Sequence, residues 1–174
     1  PAGVPDCELE ATGGGLTTVV GSAGEGLGAG LGAGAGAGAS FFGIQSTGNR
    51  FAYIVDTSGS MGQDGKMAAA MAELKRSLQR LPDYAAFMVV LYSSNPVVPP
   101  FQDGWLRASR GNLSRIKAWI DGLQPGGGTE PKPAFEIGFD LDVRPDGIFF
   151  LTGGLIPGSI PAEVQNRNGK RAGA

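Results

Sequence analysis

Apolar residues fall into three short unbroken runs, Phe51–Val55, Ala85–Tyr92 and Ile148–Leu151, and into stretches where they recur every three or four positions. The runs are too short for helices and rich in aromatic and branched residues. They read as strands covered on both faces, as in a parallel sheet. Between the first two, Met67, Met71, Leu74, Leu78 and Leu81 form one stripe, which predicts an amphipathic helix over Lys66–Leu81. Asp64 is the expected N-cap, and Pro82 stops the helix. Asn112 is expected to cap a second helix carrying Leu113, Ile116, Ile120 and Leu123, with Trp119 beside them. A third, over 132–141, follows the loop Gly126-Gly-Gly-Thr129-Glu130-Pro131, where Pro131 suits a helix start. Strands alternating with helices predict an α/β domain with a mainly parallel, doubly wound, Rossmann-like sheet and helices on both faces.

Weaker signals fill the gaps. Phe41-Phe42-Gly43-Ile44 reads as a short strand or staple over the sheet edge. Val97–Phe101 contains Pro99 and Pro100, so it is an edge strand or an extended loop. Pro145-Asp146-Gly147 marks a turn, and a last helix is expected from Pro161. Residues 21–40 are nearly all Gly and Ala, with Leu27 and Leu31 the larger apolar side chains. Such a chain has little apolar surface to offset the entropy of ordering. Residues 1–40 are therefore expected to form a disordered tether, 41–165 the domain and 166–174 a polar tail. The strand at Ile148–Leu151 is then left as an unprotected edge, and the domain is expected to be incomplete at its C-terminus and marginally stable.

Composition mostly excludes. With no histidine, Ser-His-Asp and Cys-His catalysis and His-ligated zinc or haem are ruled out for this chain. The single cysteine, Cys7, builds neither a disulfide framework nor a thiolate site. A net charge of −2 gives no electrostatic ground for nucleic acid or anionic membrane. The cations at Arg167, Lys170 and Arg171 read as a solvated end. No apolar run approaches the ~18 residues of a membrane-spanning helix. The flexible arm would suit tethering outside the cytoplasm.

The chemistry sits where the first strand ends. In Asp56-Thr-Ser58-Gly-Ser60, one carboxylate and two hydroxyls alternate along a loop, so they can converge on one point. Oxygen-only ligands of this kind suit a hard divalent cation such as Mg²⁺. In an open α/β sheet, ligands bind beyond the carboxyl ends of the strands; Asp56, Ser58 and Ser60 fall at one such end, Gly153 follows another, and Thr129 lies on a loop able to reach the same rim.

This D-x-S-x-S loop between a buried strand and a helix resembles the von Willebrand factor A family and its metal-ion-dependent adhesion site, in a bacterial-type, C-terminally shortened form. The similarity covers roughly residues 51–163, including the Gly126-Gly-Gly-Thr129 loop. It implies Ser58, Ser60 and Thr129 as direct ligands of Mg²⁺ or Mn²⁺, Asp56 acting largely through water, and a partner protein's Asp or Glu carboxylate completing the coordination. The family's Thr-Asp-Gly at the end of the later strand reads Thr152-Gly153-Gly154 here. Gly153 thus stands at the second aspartate's position, which implies weakened or lost metal binding. Glu130 and Asp64 are the candidate compensators.

Three other functions compete. A phosphate-binding loop at Gly59–Met67 fails on spacing, and Met67 occupies the Mg²⁺-binding hydroxyl position. A phosphotransferase using Asp56 as nucleophile lacks a second carboxylate at position 58. A metal-independent scaffold domain is the stronger competitor, because of Gly153. The reading carried forward is a non-enzymatic interaction module.

Overall fold

The structure, a computed structural model, describes residues 9–12, 16–22, 38–42 and 44–153. Cys7, the Gly/Ala run over 23–37, the helix expected from Pro161 and the tail at 166–174 lie outside the described residues. The chain opens with strands β1 (Leu9–Thr12), β2 (Leu16–Ser22), β3 (Gly38–Phe41), β4 (Ile44–Thr47) and β5 (Arg50–Asp56). A 3-10 turn (Gly59–Gly62) leads to helix α1 (Lys66–Arg80) and strands β6 (Ala86–Tyr92), β7 (Pro96–Val97) and β8 (Leu106–Arg107). Helices α2 (Arg110–Asp121) and α3 (Lys132–Phe139) precede β9 (Gly147–Thr152).

The three apolar runs are the three central strands. β5 pairs in parallel with β6 on one side and with β9 on the other. Alternate side chains leave opposite faces of each strand. Phe51, Tyr53, Val55, Phe87, Val89, Leu91, Phe149 and Leu151 pack on one face with Leu74 and Leu78 of α1 and Ile116 and Ile120 of α2. Ala52, Ile54, Met88, Val90, Tyr92, Ile148 and Phe150 pack on the other with Ala134 and Phe135 of α3. Burial on both faces explains why these strands show no polar alternation. The expected α/β architecture with helices on both faces is what forms.

The flanks differ from expectation. Among the described residues one sheet contains seven strands, in the order β1-β2-β9-β5-β6-β7, with β8 also on β6. β2 runs antiparallel along β9, from Thr17 opposite Thr152 to Ser22 opposite Gly147, and β1 pairs outside it. The edge expected to be open at Ile148–Leu151 is therefore covered. Residues 9–12 and 16–22 are sheet strands, not tether. Thr17, Thr18, Val19 and Val20 are β-branched, and this favours a strand in a segment whose surroundings are poor in apolar residues.

The hairpin of β3 and β4 lies outside the main sheet. It covers a face rather than an edge. Phe41 is fully buried, with ring centroids 5.0 Å from Phe42, 5.6 Å from Tyr53 and 5.7 Å from Phe149. The Phe42 N–H donates to Glu73 Oε1 of α1 at 3.0 Å, tying the hairpin to the helix.

Both helix caps expected from sequence are displaced. Gly65, with φ 69°, is the N-cap of α1, and Asp64 sits before it at φ 54° with no side-chain cap bond at this end. Ser109 caps α2, its Oγ accepting from the Asn112 N–H at 3.4 Å, while Asn112 lies inside the helix and its side-chain amide donates to the Arg107 carbonyl. Ser and Asn three residues apart offer two similar capping signals, and the earlier one starts the helix.

The outer edge of β6 is paired by β8 near its start and by β7 at its end. Between them Gln102 acts as a one-residue strand. Its Oε1 accepts from the Val89 N–H and its Nε2 donates to the Val89 carbonyl, both at 2.9 Å and both buried. Gln102→Ala leaves a buried donor and acceptor without partners, a loss expected to cost about 2–4 kcal/mol. Urea unfolding of that variant checks it; a cost below ~0.5 kcal/mol would contradict this role.

Candidate metal centre

The carboxyl ends of β5, β6 and β9 meet at Asp56, Tyr92 and Thr152. Asp56 and Tyr92 are paired across β5 and β6. Thr57 locks that junction, its N–H donating to the Tyr92 carbonyl at 2.8 Å and its hydroxyl to the same oxygen at 3.1 Å. Asp56 is fully buried. Its Oδ1 accepts from the Ser58 N–H at 2.8 Å, and its Oδ2 accepts from the Thr152 hydroxyl at 3.1 Å and the Gly153 N–H at 3.2 Å. Three donors thus disperse a buried negative charge. Burial, reinforced by the charge on Asp56, pushes the Tyr92 hydroxyl above its ordinary value of 10.0. It stays a neutral donor, reaching the Leu151 carbonyl at 3.4 Å.

Beyond Asp56 the chain turns through the 3-10 segment, which brings the two serines together. Ser58 is buried and Ser60 exposed, and their Oγ atoms lie 3.1 Å apart. Two oxygens in adjacent positions of an octahedral Mg²⁺ shell, each ~2.1 Å from the ion, are ~3.0 Å apart. The hydroxyl pair is at hydrogen-bonding distance, which is also compatible with two neighbouring ligands of such an ion, one side facing solvent and the other backed by a carboxylate. Mn²⁺ takes the same oxygen donors.

The glycine-rich loop docks against this turn. The Gly126 N–H donates to the Thr57 carbonyl at 2.9 Å and the Gly59 N–H to the Gly127 carbonyl at 3.0 Å. Thr129 and Glu130 follow on the same loop, both exposed. The sequence-predicted residues Asp56, Ser58 and Ser60 thus converge, and the Thr129 loop is hydrogen-bonded to the segment that carries them. Glu130 and Asp64 are exposed, and among the described residues no three carboxylates gather into a metal-ligating cluster, so Asp56, Asp64 and Glu130 do not form one.

Gly153 is half-buried at the site, where its amide serves Asp56. A Cβ there falls on the Met61 thioether sulfur, with Lys66 Cδ 3.8 Å away. An aspartate at 153 thus requires the buried Met61 side chain to rotate. Sequence reasoning missed Thr152 as a partner of Asp56, and also the Ser93–Ser94 turn behind the glycine loop. Thr152 is a polar residue closing an apolar strand, which is the available signal; the serines have none, because their role depends on a backbone 34 residues away.

No known family's sequence profile matches the chain, and no curated protein matches it. Solved structures do. One similar structure is a von Willebrand factor type A protein from Catenulispora acidiphila, 21% identical, with a TM-score of 0.50, covering 72% of this chain and 25% of that one. Another is the pilus adhesin SpaC from Lactobacillus rhamnosus GG, 15% identical, with a TM-score of 0.45, covering 78% of this chain and 16% of that one. The chain thus spans a quarter or less of the length of either protein. With its parallel β9-β5-β6 centre between helices on both faces, it adopts a von Willebrand factor A-like α/β fold.

Proposed function

We propose that this domain is a protein-binding module of the adhesion type. A Mg²⁺ or Mn²⁺ ion is held by the hydroxyls of Ser58, Ser60 and Thr129, with Asp56 orienting a metal-bound water from behind. The ion's remaining position takes an Asp or Glu carboxylate of a partner protein. The observation that carries this reading is the 3.1 Å Ser58–Ser60 hydroxyl pair, set at a strand end against a buried carboxylate. An ion facing solvent forms a directional bond to an acidic side chain with no covalent step, so no catalysis is assigned.

A second reading has its own support. Asp56 already accepts three hydrogen bonds from the chain, and Gly153 contributes no carboxylate. On these grounds the domain is a scaffold that folds and binds without metal.

Thermal unfolding in EDTA, Mg²⁺ and Mn²⁺ separates the two. A ligand present at ~100 times its dissociation constant adds ~2.7 kcal/mol. The expected result is a rise in midpoint with Mn²⁺ at millimolar concentration, absent in Ser58→Ala and larger in Gly153→Asp. That last variant should be less stable in EDTA, because Met61 has to move aside. No rise in either the natural chain or Gly153→Asp would exclude the metal; a rise in Gly153→Asp alone would establish the scaffold.

A further inference from the structure

An exposed hydroxyl on a triple-glycine loop is a poor ligand unless the loop is held, because ordering glycine costs more backbone entropy than ordering any other residue. Two hydrogen bonds bracket Thr129, and both reach one turn just beyond β6. The Gly128 N–H donates to Ser94 Oγ, and the Glu130 N–H donates to the Ser93 carbonyl, each at 2.7 Å. With the bonds from Gly126 to Thr57 and from Gly59 to Gly127, the loop is fastened on two sides. Three of these four bonds are backbone to backbone; the one to Ser94 depends on a side chain.

Close approach makes this contact. Gly127 has φ 79°, and a Cβ there would lie 3.1 Å from both Ser93 Oγ and Ser94 Oγ. A side chain at 127 is strained by the backbone and also pushes the loop off the serines. Position 127 therefore offers a second, independent way to release the loop.

We propose that Ser94 is a positioning residue, a latch whose hydroxyl fixes the Gly126–Glu130 loop and so sets where Thr129 stands at the rim. Its consequence for metal affinity rests on the function proposed above; its effect on the loop does not. A serine beyond β6 thereby decides how well a hydroxyl more than thirty residues later meets the hydroxyls after β5.

Two measurements on the whole chain test it, for the natural protein and for Ser94→Ala, Ser94→Thr and Gly127→Ala. Amide hydrogen exchange at Gly128 is followed by NMR without metal, and Mn²⁺ affinity by titration of the free-ion EPR signal. Ser94→Ala should exchange Gly128 about ten-fold faster. It should also bind Mn²⁺ about ten-fold more weakly. Its metal-free unfolding midpoint should stay unchanged, because Ser94 is exposed. Ser94→Thr, which keeps the hydroxyl, should restore both values, and Gly127→Ala should reproduce the loss. Unchanged Gly128 exchange in Ser94→Ala overturns the latch. Faster exchange with Mn²⁺ affinity intact overturns its part in positioning Thr129. If the natural chain binds no Mn²⁺ while Gly128 is released by Ser94→Ala, the metal reading falls and the latch stands.

Discussion

Removing residues 1–22 should lower the unfolding midpoint by ~10 °C or more and make the chain aggregate. The deletion takes away β1 and β2, and with them all six positions that β2 pairs along β9. At ~0.5–1.5 kcal/mol for each ladder hydrogen bond, the gross loss is about 3–9 kcal/mol, reduced by the entropy regained. For a domain of this size ~3 kcal/mol corresponds to roughly 10 °C. The strand left open, Gly-Ile-Phe-Phe-Leu-Thr over 147–152, carries no charge and no proline. Such an edge is a template for pairing with other chains. A peptide of residues 9–22 supplied in trans should restore solubility by adding itself to the edge. An unaltered midpoint and a stable monomer would mean that the N-terminal segment is the tether its composition suggests. Calorimetry and light scattering on the two proteins decide it.

Asp56→Ala should cost about 3–5 kcal/mol in the absence of any metal. The Ser58 N–H and the Gly153 N–H lose their acceptor, and the Thr152 hydroxyl loses one of its partners, Tyr92 being another. Ser58 and Thr152 are buried, so water cannot replace it there at no cost. An unsatisfied buried donor costs ~1–3 kcal/mol. Asp56→Asn keeps one acceptor oxygen and should lose about half as much. Ser58→Ala and Ser60→Ala should lose less than ~1 kcal/mol without metal, because their hydroxyls bond chiefly to each other. Urea unfolding in EDTA gives all four values. A stabilised Asp56→Ala would show a carboxylate whose charge the chain leaves uncompensated, and that would contradict the structural role given to its three donors.

The legible parts of this fold are those whose burial is complete. Phe51–Val55, Ala86–Tyr92 and Ile148–Leu151 announce central strands because both faces are apolar, and the Met67-to-Leu78 stripe announces α1 because one face is. The convergence of Asp56, Ser58 and Ser60 was legible because polar residues break off a buried strand at its end. The edges were not legible. β2 draws its stability from β9, more than a hundred residues away, and β-branched residues in a weak segment do not specify that partner. Gln102 stands in for a strand through side-chain geometry alone. The caps moved by one to three residues where Asp64 and Asn112 had neighbours of similar capping strength. The role of Gly153 as an amide donor to Asp56 beside the Met61 sulfur was not legible. Hydrogen bonds from backbone leave no trace in residue type.

In the function proposed above, Ser58 and Ser60 share one divalent ion. The most direct measurement is the anomalous difference map of crystals grown with Mn²⁺. One peak ~2.1–2.2 Å from both hydroxyl oxygens is expected, with Thr129 Oγ1 joining the shell and Asp56 reached through an ordered water. A map with no peak there at saturating Mn²⁺, and the Ser58 and Ser60 hydroxyls still bonded to each other, would contradict it.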